Sequence, residues 1–140
     1  MCRRLLCVLT FAAGMIVLPL SAETKPNFSG TWKLNEKAQR ADGPRNIVFK
    51  IDHKDAVLKY TATGQTSGGE AFTEAVEVPI DGKEHPGIHS GTVSARWEEQ
   101  RLVIRYTISG NEYSMVLRSS AYGNQMFRDV LGQHEVYDKQ

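Results

Sequence analysis

The chain has two cysteines, Cys2 and Cys7, and none after them. It has no apolar run long enough to cross a bilayer comfortably, which takes about 20 residues. It has no Gly-x-Ser-x-Gly elbow and no phosphate-binding glycine loop. Beyond the first stretch, no window repeats its apolar residues with helical spacing. These absences bear on membrane spanning, disulfide scaffolds, helical folds and the common hydrolase and nucleotide chemistries. Its lysines and arginines, 17 in all, nearly balance its 16 acidic residues, so no basic surface for nucleic acid is indicated.

What is present starts with an export signal. Arg3 and Arg4 precede the mostly apolar stretch Leu5–Leu18. Pro19 then breaks the stretch, and Leu20-Ser21-Ala22 ends on a small residue. That order of basic, apolar and small residues is a secretory signal, read here as residues 1–22 and cleaved after Ala22. Cys7 precedes most of the apolar stretch rather than following it, which argues against lipidation. Cleavage removes both cysteines and two of the 17 basic residues. The remaining domain, residues 23–140, then carries 15 basic and 16 acidic residues, with no disulfide and no membrane anchor.

Within 23–140, alternation with a period of two recurs. Phe28, Trp32 and Leu34 share one strand face; Ile47, Phe49 and Ile51 share the next; Leu58 and Tyr60 the next. Phe72, Glu74, Val76, Val78 and Ile80 follow on one longer strand, with Pro79 marking its far end as an edge or the start of a loop. Val93, Ala95 and Trp97 align, as do Leu102, Ile104, Tyr106 and Ile108, and then Tyr113, Met115 and Leu117. Two short strands near Met126–Val130 and His134–Asp138 close the chain. Glu36–Arg40 has room for one helical turn. About eight or nine short strands joined by turns predict an all-β antiparallel meander. Closing it into an up-and-down barrel removes the unpaired edges, with a β-sandwich as the alternative.

The string Asn27-Phe-Ser-Gly-Thr-Trp-Lys-Leu34 resembles the first strand of the calycin superfamily. Its Gly30-x-Trp32 element is similar to the opening of lipocalins, and Phe28-x-Gly-Thr-Trp-Lys-Leu34 to that of fatty-acid-binding proteins. The resemblance implies that Trp32 plugs one barrel end, that Gly30 lets the strand bend there, and that a late-strand arginine, Arg118 or Arg128, packs on Trp32. Val136-Tyr137-Asp138-Lys139 resembles the last strand of fatty-acid-binding proteins, where an Arg-x-Tyr pair holds a carboxylate. Here Tyr137 matches the tyrosine, but Glu135 stands in the arginine position and would repel a carboxylate. The short gap between Leu34 and Ile47 leaves no room for that family's helical lid. The overall pattern resembles the short, secreted, lipocalin-like proteins of bacteria more than it does the fatty-acid-binding proteins.

The resemblance implies an interior that binds a small hydrophobic ligand, and Tyr60, Phe72, Glu74, Trp97, Tyr106 and Tyr137 are the candidate lining residues. Arg96, Arg105 and Arg118 lie opposite the apolar faces and read as exterior, while Arg128 fits neither face clearly. His85 and His89 flank Pro86-Gly87, which breaks any helix, and no third strong ligand accompanies them, so no metal or other cofactor is expected. No convergent catalytic group is visible, so binding is expected rather than catalysis. The alternative is a solid barrel serving as an interaction or structural module of the cell envelope, its loops carrying the contacts.

Overall fold

The computed structural model describes residues 24–140. The signal, its cleavage point, and Cys2 and Cys7 lie outside the described residues. Ten antiparallel strands follow one another: β1 (Gly30–Leu34), β2 (Arg45–Lys54), β3 (Val57–Gln65), β4 (Ala71–Pro79), β5 (His85–Pro86), β6 (Thr92–Glu98), β7 (Arg101–Ile108), β8 (Asn111–Ser119), β9 (Gln125–Val130) and β10 (Gln133–Lys139). Their order in the sheet is β4-β3-β2-β1-β10-β9-β8-β7-β6-β5. The first strand pairs with the last through Trp32↔Lys139 and Leu34↔Tyr137, so the meander curls into a near-closed up-and-down barrel. The strand beyond the expected count is β5, two residues within the His85–His89 loop. The helical turn is a single 3₁₀ turn at Glu36–Ala38, capped by the Asn35 side chain, which accepts from the backbone of Lys37 and Ala38.

Alternation explains the core. In β2, Ile47, Phe49, Ile51 and His53 are buried while their neighbours face solvent, and in β3 Leu58, Tyr60 and Ala62 do the same. Only a one-in-two pattern puts every such residue inside a barrel wall. The inward faces merge into one hydrophobic cluster running from Phe28 to Tyr137. The ladders run from strand to strand, with one register shift between Arg45 and Val48 where β2 pairs with β3. The single seam lies between β4 and β6, which approach without pairing. Here Pro79 sits on the edge strand, where its missing N–H costs no ladder bond.

One end of the barrel is plugged. Trp32 is buried, and its indole N–H donates to the Phe28 carbonyl at 2.8 Å. Gly30 stands at φ 134°, a backbone region open almost solely to glycine. A Cβ there would also meet the Lys139 side chain at 3.1 Å. The cation over the Trp32 ring is therefore Lys139, at 5.3 Å, and neither Arg118 nor Arg128 packs there. Arg118 lies over Phe127 and Arg128 over Phe49. A lysine from the paired end of β10 takes the place because register sets Lys139 directly beside Trp32.

Candidate functional site

The other end of the barrel opens. The turns between β7 and β8 and between β9 and β10 and the loops 66–70 and 87–91 all lie there, away from Trp32. A cleft of about 240 Å³ enters at this mouth, walled by Ile88, Ile108, Met115, Val130 and Leu131, with Tyr60, Tyr106, Glu74 and Arg128 among its polar groups. That is the volume of about eight water molecules. It falls a little below the roughly 300 Å³ at which small-molecule sites begin. The rest of the interior is filled by side chains.

Tyr60 on β3 and Tyr106 on β7 reach across the barrel and hydrogen-bond through their hydroxyls. Both rings are buried. Burial raises the Tyr60 hydroxyl well above its usual range, with Tyr106 adding to the rise, and burial pushes Tyr106 up to about 12. Both are therefore neutral phenols at ordinary pH. A pair of hydroxyls has two hydrogens and uses one between them, which leaves one donor and free lone pairs for a third group.

Glu74 projects from the inward face of β4 and is half-buried in the cleft. It makes no hydrogen bond or ion pair with any of the described residues. Arg128 is different. It stands opposite Glu135 in the β9–β10 ladder, and its guanidinium donates to the Glu135 carboxylate at 2.6 Å. The Tyr137 hydroxyl donates to the same carboxylate oxygen at 2.7 Å. Burial works against the Arg128 charge, but Glu135 and the neighbouring tyrosines together outweigh it and hold the guanidinium protonated. Burial raises Tyr137 further above its usual range, so it stays neutral.

The sequence-based expectation for Glu135 changes in detail. Glu135 faces inward, yet its charge is spent on a buried arginine supplied by the neighbouring strand. Two of the family-like features, an interior arginine and Tyr137, are thus present with a carboxylate set between them.

Of the six lining candidates, the structure gathers Tyr60, Glu74 and Tyr106 around the cleft. Tyr137 lies deeper, joined to the cleft through Glu135 and Arg128. Phe72 packs partly buried against the core near the mouth, opposite Gly64. Trp97 sits at the plugged end, where it stacks on Phe28 at 6.3 Å and meets His53 in a tilted contact at 5.9 Å. Sequence reasoning did not single out Arg128, Met115, Ile88 or Leu131 as site residues. The first two carry a signal: Met126, Arg128 and Val130 share parity, and so do Met115 and Leu117. Ile88 and Leu131 are placed by a loop and a turn, which alternation does not reach. Leu131 is 73% exposed and has φ 49°, a left-handed backbone that a leucine adopts only under strain. Among the remaining charged groups, Arg96 pairs with Glu98, Arg105 with Glu112 and Arg118 with Asp129, all at the surface. His85 binds the Asp81 carboxylate at 2.9 Å.

No protein-family model and no curated protein sequence matches the chain. Solved structures do. Two point-mutant crystal structures of the fluorescent protein UnaG superimpose with TM-scores of 0.57 and 0.52. Each is 14% identical, and together they span 80–81% of this chain and 95–96% of theirs. At that identity the likeness is one of fold, and the fold is an antiparallel up-and-down barrel consistent with the calycin type seen in fatty-acid-binding proteins.

Proposed function

We propose that the protein is an exported carrier barrel whose open mouth holds a small, mainly apolar molecule and fixes one polar end of it on the tyrosine pair. The observation that supports this most is the cleft itself: apolar walls around a few converging polar groups is the usual composition of a ligand site. The Tyr60–Tyr106 pair leaves one hydroxyl hydrogen and free lone pairs at its floor, so it can meet either a donor or an acceptor on a ligand. The fold likeness to a ligand-binding type of barrel agrees with the reading. The Arg3-Arg4, apolar and Leu20-Ser21-Ala22 order supports export, in the manner of the secreted bacterial lipocalin-like proteins it resembles.

Native mass spectrometry of the protein purified from its own host tests both parts. A carrier retains a bound mass of a few hundred daltons, and an exported chain loses the mass of residues 1–22. An apo spectrum from every preparation, together with no binding of apolar probes, overturns the carrier reading. The filled core beneath the cleft favours a second reading, a solid barrel used as a non-catalytic interaction module. That reading gains if the purified protein carries no ligand and co-elutes with an envelope component.

A further inference from the structure

The polar groups of the mouth do not balance. Arg128 is the cleft's one cation among the described residues, and the Glu135 carboxylate already neutralises it at 2.6 Å. Tyr137 satisfies the same carboxylate from the other side. The tyrosines Tyr60 and Tyr106 are neutral hydroxyls. Glu74 then remains as a carboxylate with no described partner, half-buried against apolar walls and two aromatic rings. Counting Arg128 as +1 and Glu135 and Glu74 as −1 each, the site carries a net −1.

From this imbalance we propose that the mouth selects ligands whose polar end is a cationic amine, and discriminates against carboxylates; the proposal rests on the carrier reading above. A carboxylate entering the cleft would meet Glu74 with no free cation to compensate, in surroundings less polar than water, where like charges repel more strongly. An ammonium would instead pair with Glu74, beside the Tyr60 and Tyr106 side chains that line the same cleft. Its N–H groups also match the lone pairs of the tyrosine hydroxyls. The arrangement inverts the charge logic of an Arg-x-Tyr carboxylate site. The arginine is present but occupied, and the unpaired charge is negative.

The volume fixes the probe length. A cleft of about 240 Å³ takes an eight-carbon chain with its head group inside, so octylamine, 1-octanol and octanoate form a matched series. Each is titrated at pH 7 into the ¹⁵N-labelled protein, and amide shifts of Tyr106, Met115 and Leu131 are followed. Octylamine is expected to bind about tenfold or more tighter than octanoate, with 1-octanol between. Glu74→Gln is expected to cut that amine-to-acid ratio about tenfold, and Glu74→Lys to reverse it. Because Glu74 is half-exposed and unpaired, neither change removes a buried contact.

Two results overturn the proposal while leaving the carrier reading intact: octanoate binding the wild type as tightly as octylamine, or Glu74→Gln leaving the ratio unchanged while the probes still bind. If none of the three probes shifts the mouth amides, the carrier reading falls and this proposal with it.

Discussion

Glu135 is 2% exposed, and its carboxylate accepts from Arg128 at 2.6 Å and from Tyr137 at 2.7 Å. A buried ion pair of this kind adds little net stability, but breaking it strands a charge. Glu135→Ala is expected to lower the unfolding free energy by about 3–5 kcal/mol in urea titrations. The double change Arg128→Met with Glu135→Leu is expected to recover most of that loss, because it removes both charges together. If the double variant is as unstable as the single one, Arg128 is not the stranded group. This pair was half legible in the sequence. Glu135 and Tyr137 share parity, so one inward residue implied the other, and an inward carboxylate demands a partner. The partner stayed hidden because β9 carries Phe127 on the face opposite Met126 and Val130, so the parity that Arg128 shares with those two does not by itself mark the inward face. His53 gives a second residue-scale test. It is buried between Phe28 and Trp97, and the Phe28 N–H donates to its Nδ1 at 3.2 Å, which requires the neutral ring. Burial lowers its pKa, more than the Asp55 backbone and carboxylate raise it. Lys25, over the Trp97 ring, adds no stabilising charge for an imidazolium. The unfolded histidine takes a proton near pH 6.5 and the folded one only below that. Between those two points the unfolded chain binds more protons, so stability rises with pH. The contribution is full above about pH 6.5 and is lost as pH falls through the lowered folded value. Urea midpoints at pH 7.5 and pH 5 are expected to differ by less in His53→Asn than in the wild type.

At the scale of elements, the strands follow from alternation and the turns from chain geometry. Nine of the ten strands overlap a strand expected from the sequence alone, and differ from it by three residues or fewer at each end. The β1 strand starts later than expected because Phe28, though buried, donates its N–H to the His53 side chain of β2 rather than to a backbone carbonyl of the ladder. The β5 strand was not foreseeable, because two residues carry no period and Pro86 argues against pairing. The β9–β10 hairpin holds the strongest local conflict between sequence and backbone. Its two-residue turn, Leu131-Gly132, has φ 49° and 73°, the geometry that favours asparagine followed by glycine. A leucine held left-handed costs about 1–2 kcal/mol, yet here it is also exposed at the rim of the cleft. Leu131→Asn is therefore expected to stabilise the hairpin by about 0.5–1 kcal/mol, seen as a rise in Tm. The same change is expected to weaken binding of an apolar probe several-fold, because the cleft loses an apolar wall. A variant that gains stability without losing affinity would show that Leu131 does not contact the ligand.

The whole molecule is a closed wall with one unzipped seam. From β4 round to β5 each strand is hydrogen-bonded to its neighbours, while β4 and β6 meet without a ladder. The seam is bridged inside by the hydroxyls of Tyr60 and Tyr106, since Tyr60 lies one strand behind β4 and Tyr106 one strand behind β6. It is bridged outside by the Gly82 N–H, which donates to the Ala95 carbonyl at 2.8 Å. Edge amides lacking a ladder partner open most readily, so hydrogen exchange is expected to be fastest in β4 and in residues 80–91, and slowest in β1, β10 and β9. The tyrosine pair is the interior latch on that motion. Tyr60→Phe leaves the buried Tyr106 hydroxyl without its partner, at a cost of about 1–3 kcal/mol, and Tyr106→Phe does the converse. The double variant removes both hydroxyls and leaves nothing unmet, so it is expected to be less destabilised than the two single variants summed. In all three, exchange is expected to rise first at β4 and β6, the strands that flank the seam the latch spans. A uniform rise across every strand, with no excess at the seam, would show that the hydroxyls stabilise the barrel as a whole and do not hold its opening shut.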